Sequence, residues 1–376
     1  MIDGNGHTID AKGQSRIFYV NATSVYLKNI KFVNGNANFE GVTNGGAVYG
    51  DGDNFRVINC TFINNSALNW GGAVYSYPAS LAVILNSTFI NNEAMYGGAV
   101  SAIYGYRQYV INSTFYSNHA DSYGGAILIY GTQETTENPY DDKLSIDGCI
   151  FIGNDAPYGD AVSNFRSATL NITNSILLGN IDNLIFNDVY FATANNNWFG
   201  NTYDNKSARP NLHKSIEMNN WLYMDLVPDL ATSSAAVSIN NLYDKDTGKT
   251  STYETSKLPS IEVSVSADNS IIDSDRVVLD HSGKATFDFA FENDTVFTAD
   301  YGGVSISKKV NGGSFTELQG IISAADDGDI ITLTKDYIYI NGIDAMTQGI
   351  SIINKHNLVI DGNGHTVQSQ IGRAVQ

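Results

Sequence analysis

Three stretches in the first half of the chain repeat one pattern: VINCTFINN at residues 57–65, VILNSTFINN at 83–92 and VINSTFYSN at 110–118. Aligned on its aromatic residue, the pattern runs through six copies, with Phe32, Phe62, Phe89, Phe115, Phe151 and Leu177 at the shared position. A GlyGlyAla triplet follows the same step, at Gly45, Gly71, Gly97 and Gly124, with a GlyAspAla variant at Gly159. A period of about 26 residues is typical of a repeat protein, in which each unit packs against its neighbours.

Each repeat contains two segments with inward-facing positions. The positions five and seven residues before the aromatic share strand parity and are mostly apolar, so both are predicted to face inward. They hold Leu27, Val57, Ile84, Val110, Ile146 and Ile172, and Val25, Phe55, Ala82, Gln108, Leu144 and Leu170. After a corner the inward parity changes to the aromatic itself and the position two before it, which holds Ile30, Cys60, Ser87, Ser113, Cys149 and Ser175.

Asparagine marks the corner between the two segments. Three residues before the aromatic the column reads Asn29, Asn59, Asn86, Asn112, Gly148 and Asn174. Asn and Gly tolerate the left-handed backbone conformation that redirects a strand. Because stacking places equivalent side chains above one another, a structural ladder of amide hydrogen bonds is predicted for Asn59, Asn86, Asn112 and Asn174. A second Asn column follows three residues after the aromatic, at Asn65, Asn92, Asn118, Asn154 and Asn180.

Strand, corner and strand at this spacing predict an all-β protein, built as a right-handed parallel β-helix with rungs about 4.8 Å apart. The 35 Gly and 6 Pro among 376 residues agree with many tight turns. An antiparallel sandwich or a propeller is the alternative, but a four-stranded propeller blade needs about 40 residues or more. The solenoid is therefore the preferred interpretation.

The alignment also places the two cysteines. Cys60 and Cys149 share one column but lie three rungs apart, which corresponds to about 14 Å. A disulfide requires Cα atoms closer than about 7 Å. The sequence therefore predicts two free thiols in small inward positions, with no metal or nucleophile role for either.

The repeat ends near residue 230, and two further segments follow. Residues 1–230 are assigned to the β-helix, with Trp198 and Trp221 in a C-terminal cap over the last rung. Short alternating segments in residues 231–311 predict an immunoglobulin-like β-sandwich. In residues 312–376, apolar residues at helical spacing follow Ser314, and strand-like segments come after them. This order predicts the N-terminal cap and first rungs of a second β-helix. The heptapeptide IDGNGHT, present at residues 2–8 and again at 360–366, suggests that the chain starts just inside one module and stops just inside the next.

Charge and hydropathy restrict the partners. Lys and Arg number 21 against 39 Asp and Glu, a formal net charge of -18. Such a surface repels phosphate backbones and anionic lipid headgroups, so neither a nucleic-acid partner nor electrostatic membrane docking is expected. No apolar run is long enough to span a bilayer and the first residues lack a signal-peptide pattern, so this segment is not expected to insert into a membrane.

The combination of GGAVY and FINN repeats resembles the chlamydial polymorphic outer-membrane proteins, whose repeats pair GGA with a Phe-x-x-Asn motif. The full order of IDGNGHTID, the GGAVY and FINN rungs, NNNWFGN, an immunoglobulin-like segment and a new FTELQ and DYIY segment resembles the adhesin-like surface proteins of methanogenic archaea. That resemblance covers essentially the whole chain. It implies an extracellular, modular cell-surface protein that attaches to a glycan or surface protein of another cell, and it provides no catalytic residues.

Outward aromatic residues are the candidate contacts for such a ligand. Tyrosine suits recognition because it combines an apolar ring with a polar tip. The candidates for ligand contact are Tyr75, Tyr77, Tyr104, Tyr106 and Tyr123, within a wider outward set that adds Tyr26, Tyr49 and Tyr109. The simpler interpretation is that about half of these residues only pack, since Tyr is a common strand residue.

A secreted β-helix lyase or hydrolase acting on polysaccharide is the alternative function. Such enzymes need clustered carboxylates, often with Arg or Lys. The acids here are scattered, with Asp147 and Asp160 in variant columns and Arg166 in a place that is not equivalent, so no catalytic residue is assigned and an enzyme is not expected.

No cofactor is expected, with calcium as a weaker possibility. Acidic residues in the inserted loop at residues 130–143 could bind calcium or contact a partner, although a solvated loop of variable length is favoured. The DKDTG segment at residues 244–248 lacks the later ligands of a calcium loop, which favours a hairpin turn.

Overall fold

The computed structural model is an all-β protein, with 56% strand and 4% helix. The residues that it describes are 1–77, 81–103, 107–131, 143–165, 169–179, 183–188, 192–213, 215–230, 232–291, 294–339, 344 and 349–368. The chain divides into two compact units. The first comprises residues 1–223, 240–259 and 281–283, and the second comprises residues 224–239, 260–280 and 284–376.

The first unit is a β-solenoid of parallel strands in four sheets, which confirms the predicted solenoid. Sheet A contains Ile2–Asp3, Ser24–Lys28, Asn54–Ile58, Leu81–Leu85, Arg107–Ile111, Lys143–Asp147, Thr169–Thr173, Ala192–Asn195 and Ile216–Glu217. Sheet B contains, within the solenoid, Thr8–Asp10, Lys31–Val33, Thr61–Ile63, Thr88–Ile90, Thr114–Tyr116, Ile150–Ile152, Ile176–Leu178 and Trp198–Thr202. Sheet C contains Phe18–Asn21, Val48–Asp51, Val74–Ser76, Val100–Ile103, Ile127–Tyr130, Val162–Phe165 and Ile185–Asn187. Sheet D contains Asn36–Ala37, Ser66–Trp70, Glu93–Tyr96 and His119–Tyr123.

The strand register reproduces the columns read from the repeat. In sheet A, Leu27 pairs with Val57 and the column continues through Ile84, Val110, Ile146 and Ile172. In sheet B, the Phe column pairs rung by rung and ends on Leu177. The Phe rings are almost fully buried and stack with centroids 4.7–4.9 Å apart. One continuous apolar core therefore runs through the rungs, because no single rung could bury its own apolar side chains.

The corner between sheets A and B adopts the predicted left-handed conformation. Asn29, Asn59, Asn86, Asn112 and Asn174 have φ between 48° and 53°, and Gly148 fills the same column at 65°. A side-chain amide carbonyl that bonds locally makes this conformation accessible to Asn at little cost. The turn allows the inward parity to change between the two strands, as the sequence predicted.

The GlyGlyAla triplet forms the bend between sheets D and C. Its first glycine has φ between 63° and 74° at Gly45, Gly71, Gly97, Gly124 and Gly159. A Cβ on the second glycine would lie 2.2 Å from the carbonyl oxygen of Gly98 in the case of Gly72. The triplet is therefore required by close backbone approach between rungs as well as by backbone conformation.

The segment that was predicted to be a cap contains two buried tryptophans. Trp198 and Trp221 are almost fully buried, and each indole nitrogen donates to a backbone carbonyl, on Asn201 and Lys206, at 2.8 Å. A short 3-10 helix, Tyr203–Asn205, and the strand Asn220–Asp229 complete this segment. Residues 244–248 form the predicted turn, with the amide of Thr247 donating to Asp244 Oδ1 at 2.8 Å. The turn precedes Thr250–Thr252, which pairs antiparallel with Ser234–Asp244.

The second unit contains antiparallel strands at the predicted alternating segments. Arg276–Leu279, Ile261–Ala267, Thr295–Tyr301 and Val304–Val310 form a four-stranded sheet, and Lys284–Phe291 pairs with Ser270–Ile272 and with residues 234–238. Inward residues of both groups are buried, with Phe297 in ring contact with Phe287 and Phe289. The immunoglobulin-like assignment, like the division at residues 230 and 311, stays a prediction.

The last described segment contains the predicted capped helix, Phe315–Ala324. Ser314 Oγ accepts the Glu317 amide at 3.0 Å, and a buried Asp344 carboxylate accepts the amides of Phe315 and Thr316 at 3.1 and 2.7 Å. Short parallel pairs follow, formed by Gly312–Ser314, Asp336–Ile338 and Val367–Gln368, and by Ile330–Thr332 and Val359–Asp361. A second β-helix stays a prediction.

Candidate functional site

A column of aromatic side chains lies beside the bend between sheets D and C. Trp70, Tyr96, Tyr123 and Tyr158 each immediately precede the first glycine of a triplet. They pair rung by rung, and their ring centroids are separated by 4.4, 6.3 and 4.8 Å in that order. The planes of successive rings differ by 18–28°, so the rings form a stack that follows the solenoid axis.

Sheet C provides a second aromatic group that faces this column. Tyr77 stacks on Tyr75, with centroids 6.2 Å apart, and Tyr130 stacks on Phe165 at 5.5 Å. In the following rungs, the sheet C position equivalent to Tyr75 holds smaller buried residues, Ser101, Leu128 and Ser163. These smaller side chains leave space between the aromatic side chains of sheet C.

The two groups enclose a groove of about 560 Å³. This volume lies in the range of small-ligand sites. Trp70 meets Tyr130 edge to face at 5.9 Å, and Tyr123 meets Phe165 at 5.4 Å with ring planes inclined by 57°. We call this feature the aromatic groove; its lining residues are Trp70, Tyr75, Tyr77, Tyr96, Tyr123, Leu128, Tyr130 and Phe165.

The aromatic groove has an uncharged lining. All eight lining side chains are aromatic or aliphatic, and none carries a formal charge at neutral pH. Burial raises the pKa of the Tyr123 phenol, and the neighbouring Tyr158, Tyr96 and Asp188 raise it further. The phenol therefore stays protonated and remains a hydrogen-bond donor throughout the physiological range.

The structure brings together three of the five predicted ligand-contact tyrosines. Tyr75, Tyr77 and Tyr123 line the aromatic groove, with Tyr75 as its most buried tyrosine at 6% exposure. Tyr104 and Tyr106 lie outside the described residues. Of the wider outward set, Tyr26 lies elsewhere, on sheet A, where its ring is 5.1 Å from the Arg56 guanidinium.

Trp70, Tyr96, Tyr130 and Phe165 were missed from the sequence as groove residues. For Trp70 and Tyr96 a signal exists, because each directly precedes a GlyGlyAla triplet, as Tyr123 does. The positive-φ glycine that follows turns the chain and leaves the aromatic ring at the boundary of two sheets. Strand parity does not report this position, because the bend interrupts the alternation.

A continuous asparagine ladder lies in the second Asn column. Asn65, Asn92 and Asn118 each donate from Nδ2 to Oδ1 of the next Asn at 2.9 Å, ending on Asn154, and each also donates to a Phe carbonyl of the preceding rung. The backbone amides of the same three residues donate to the same Oδ1 atoms at 3.0 Å. The first three members are fully buried. Buried amides satisfied in this way fix the register of the rungs.

The first Asn column, for which a ladder was predicted, lies at the corner between sheets A and B. Asn59, Asn86 and Asn112 are exposed at the corner, and Asn174 is buried. Asn59 Nδ2 donates to Asn29 Oδ1 at 3.3 Å, and Asn174 Nδ2 donates to Asp147 Oδ1. The left-handed backbone of these residues forms the corner, and an amide ladder along the whole column stays a prediction.

The acids considered for catalysis have structural partners. Asp147 Oδ1 accepts from Thr173 Oγ1 at 3.0 Å, and Lys257 Nζ lies 3.7 Å from Asp147 Oδ2. The buried Asp160 accepts from Asn183 Nδ2 at 2.7 Å. Arg166 and the acidic residues 132–142 lie outside the described residues. Within the described part of the chain, no group of three or more His, Cys, Asp or Glu residues could hold a metal ion.

Both cysteines are free and buried, as predicted. Each Sγ contacts backbone carbonyls, on Leu27 and Ile58 for Cys60. Burial raises the pKa of Cys60, and it raises the pKa of Cys149 to about 12. Both groups are therefore neutral thiols at physiological pH, a state that is unsuited to nucleophilic attack.

Two segments of the chain, residues 59–77 and 112–130, match the Chlamydia polymorphic membrane protein repeat. They include Trp70, Tyr75, Tyr77, Tyr123, Leu128 and Tyr130, six of the residues that line the aromatic groove. No curated protein and no solved structure matches the chain. Among the described residues, no helix has the length and apolar character needed to cross a membrane. The first unit is thus a β-solenoid, and two of its segments are similar to the polymorphic membrane protein repeat.

Proposed function

We propose that this chain is a non-catalytic, adhesin-like protein of the cell surface. Its solenoid serves as a modular stalk and as a binding surface for other cells or glycans, and the aromatic groove is the contact site. The observation that carries the proposal is the set of eight uncharged lining residues, most of them aromatic, in a groove of about 560 Å³. Aromatic side chains are enriched in recognition surfaces because they offer large contact area at low entropic cost.

The repeat match supports a surface location. The matched family is described as a Chlamydia polymorphic membrane protein, and the archaeal adhesin-like resemblance points to the same placement outside the cell. An immunoglobulin-like spacer and a second β-helix in residues 231–376 complete the proposed modular arrangement. The partner is a glycan or a surface protein of another cell, and this segment binds it without inserting into a membrane.

The interior of the solenoid supports a role as a rigid platform. The buried Asn ladder, the Phe stack and the GlyGlyAla contacts all fix one rung against the next. A binding surface benefits from this rigidity, because pre-formed contacts cost less entropy when the ligand binds. The acids Asp147 and Asp160 accept structural hydrogen bonds, a role that agrees with a solenoid that holds ligand without turnover.

The test is a retention assay on immobilised glycans and on intact cells, with purified full chain. Released reducing or unsaturated sugar ends are measured in the same samples, with and without calcium. Retention without product release supports the proposed function. Product release above a heat-inactivated control would instead establish the polysaccharide lyase or hydrolase alternative, and absence of retention on every surface would contradict a binding role.

A further inference from the structure

The aromatic groove is periodic along the solenoid axis. Its lining residues come from four successive rungs, beginning with Trp70 and ending with Phe165. At the spacing of paired strands, four rungs extend over about 14 Å. A ligand that fills the groove is therefore elongated, and equivalent contacts recur along it at the distance between rungs.

The chemistry of the lining selects against charged ligands. No Lys or Arg is present among the lining residues, and the chain as a whole carries a formal net charge of -18. An anionic ligand would find no cationic partner and would be repelled over longer range.

The backbone around the groove selects against an extended peptide. A peptide that adds to a sheet needs an exposed edge with free amide and carbonyl groups. The strand Val74–Ser76 pairs on both sides, with Val48–Asp51 and with Val100–Ile103, and Ile127–Tyr130 likewise pairs on both sides. These two sheet C strands therefore have no free edge for a further strand, and they offer a ligand only their side chains.

We propose that the aromatic groove binds an uncharged linear oligosaccharide that runs along the solenoid axis, with about one sugar ring for each rung. This inference rests on the proposed function and specifies its ligand class. A sugar ring combines apolar C–H surface with a rim of hydroxyl groups. The groove offers the matching pair, apolar ring surface from Phe165 and Trp70 and phenolic hydroxyls from Tyr96, Tyr123 and Tyr130.

The test uses the full chain and neutral oligosaccharides, from disaccharide to hexasaccharide, in the gluco, manno and N-acetylglucosamine series. Trp70 provides an internal signal, because the other two tryptophans, Trp198 and Trp221, are buried in the cap. Binding is expected to change Trp70 fluorescence, and the affinity measured by calorimetry should rise with length until about four rungs are filled. The Trp70→Phe variant should lose the fluorescence signal while binding remains measurable by calorimetry.

Variants separate the groove from the rest of the surface. Tyr96→Ala and Tyr123→Ala should weaken binding by about tenfold or more, as expected for central aromatic contacts. Tyr123→Phe, which keeps the ring and removes one hydroxyl, should weaken it less and controls for folding. Tyr116→Ala is the matched control, because Tyr116 is an exposed tyrosine on sheet B, outside the groove, and its loss should leave affinity unchanged.

The outcomes are distinguishable from failure of the proposed function. Retention of peptides or of anionic oligosaccharides, with neutral sugars inert, would overturn this inference and leave a binding role intact. Binding of neutral sugars that is equal in Tyr123→Ala and in Tyr116→Ala would also overturn it, because the site would lie elsewhere. Release of sugar products would overturn the proposed function itself.

Discussion

The buried asparagine ladder gives a quantitative prediction at Asn92. This side chain is fully buried, and its Oδ1 accepts two hydrogen bonds from Asn65, one from the backbone amide and one from Nδ2. Its Nδ2 donates to Asn118 Oδ1 and to the Phe62 carbonyl, at 2.9 and 3.2 Å. The substitution Asn92→Leu keeps the number and branching of the side-chain heavy atoms and removes all four hydrogen bonds.

The expected cost follows from these contacts. At about 1 kcal/mol of net stability for each hydrogen bond, the substitution should lower the free energy of unfolding by about 4 kcal/mol. A unit of this size loses roughly 2–4 °C in melting temperature for each kcal/mol, so the expected fall is on the order of 10 °C. Because Asn65 and Asn118 both lose bonds to Asn92, the loss should exceed that of a typical surface change several-fold.

The assay is thermal and denaturant unfolding followed by circular dichroism. A control in the same rung is Asn86→Gly, at the exposed corner where Asn86 has a φ of 49° and where Gly148 fills the equivalent position three residues before the aromatic. That change should alter stability by no more than about 1 kcal/mol. A melting temperature of Asn92→Leu within about 2 °C of the parent chain would show that the ladder does not stabilise the solenoid.

Two further predictions concern other columns of the solenoid. Gly72→Ala should lower the free energy of unfolding, measured with denaturant, by about 2–3 kcal/mol, because the added Cβ would meet the Gly98 carbonyl oxygen. The control is Gly320→Ala in the helix Phe315–Ala324, where an added Cβ meets no neighbouring atom and should stabilise its unit by up to about 1 kcal/mol. Equal effects of the two substitutions would contradict the packing argument. The Cys149 thiol has its pKa raised to about 12 by burial, so the stability gained from its neutral form is complete below pH 9 or so and is lost as pH rises towards 12. The free energy of unfolding, measured across that pH range, should fall more steeply for the parent chain than for Cys149→Ser. Parallel curves would show that ionisation of the thiol does not contribute to the pH dependence.

The solenoid was predictable because its sequence repeat indicates both which residues are buried and where the backbone turns. Phe62, Phe89 and Phe115 recur at one position, and a strand register that keeps them stacked also aligns every other column. The Asn corner was predictable for the same reason, since Asn in the left-handed region is a local property of the turn.

The groove was only partly predictable, because it depends on how two sheets meet. Tyr123 and Tyr75 were predicted to face outward, but Tyr75 is buried, and whether the two line the same groove is decided at the positive-φ glycine of each triplet. The continuous buried Asn ladder lies in the second Asn column and was not predicted there, for a related reason. Asn59 and Asn92 look equally suitable in sequence, and only the rung geometry shows that Asn92 points into the protein while Asn59 is exposed.

The second unit was predictable only at the level of single strands. Ile261–Ala267 and Lys284–Phe291 alternate apolar and polar residues, so each strand could be recognised locally. Without a repeat, nothing in the sequence sets which strand pairs with which. Pairings such as Ile261 with Leu279 therefore came from the structure.

The most direct test of the central claim is a crystal structure of the chain with the longest neutral oligosaccharide that it retains. We expect sugar density in the aromatic groove, running from Trp70 towards Phe165 along the solenoid axis, with hydroxyl contacts to Tyr96 and Tyr123. Density on another face of the solenoid, or a sugar chain lying across the rungs instead of along them, would contradict it.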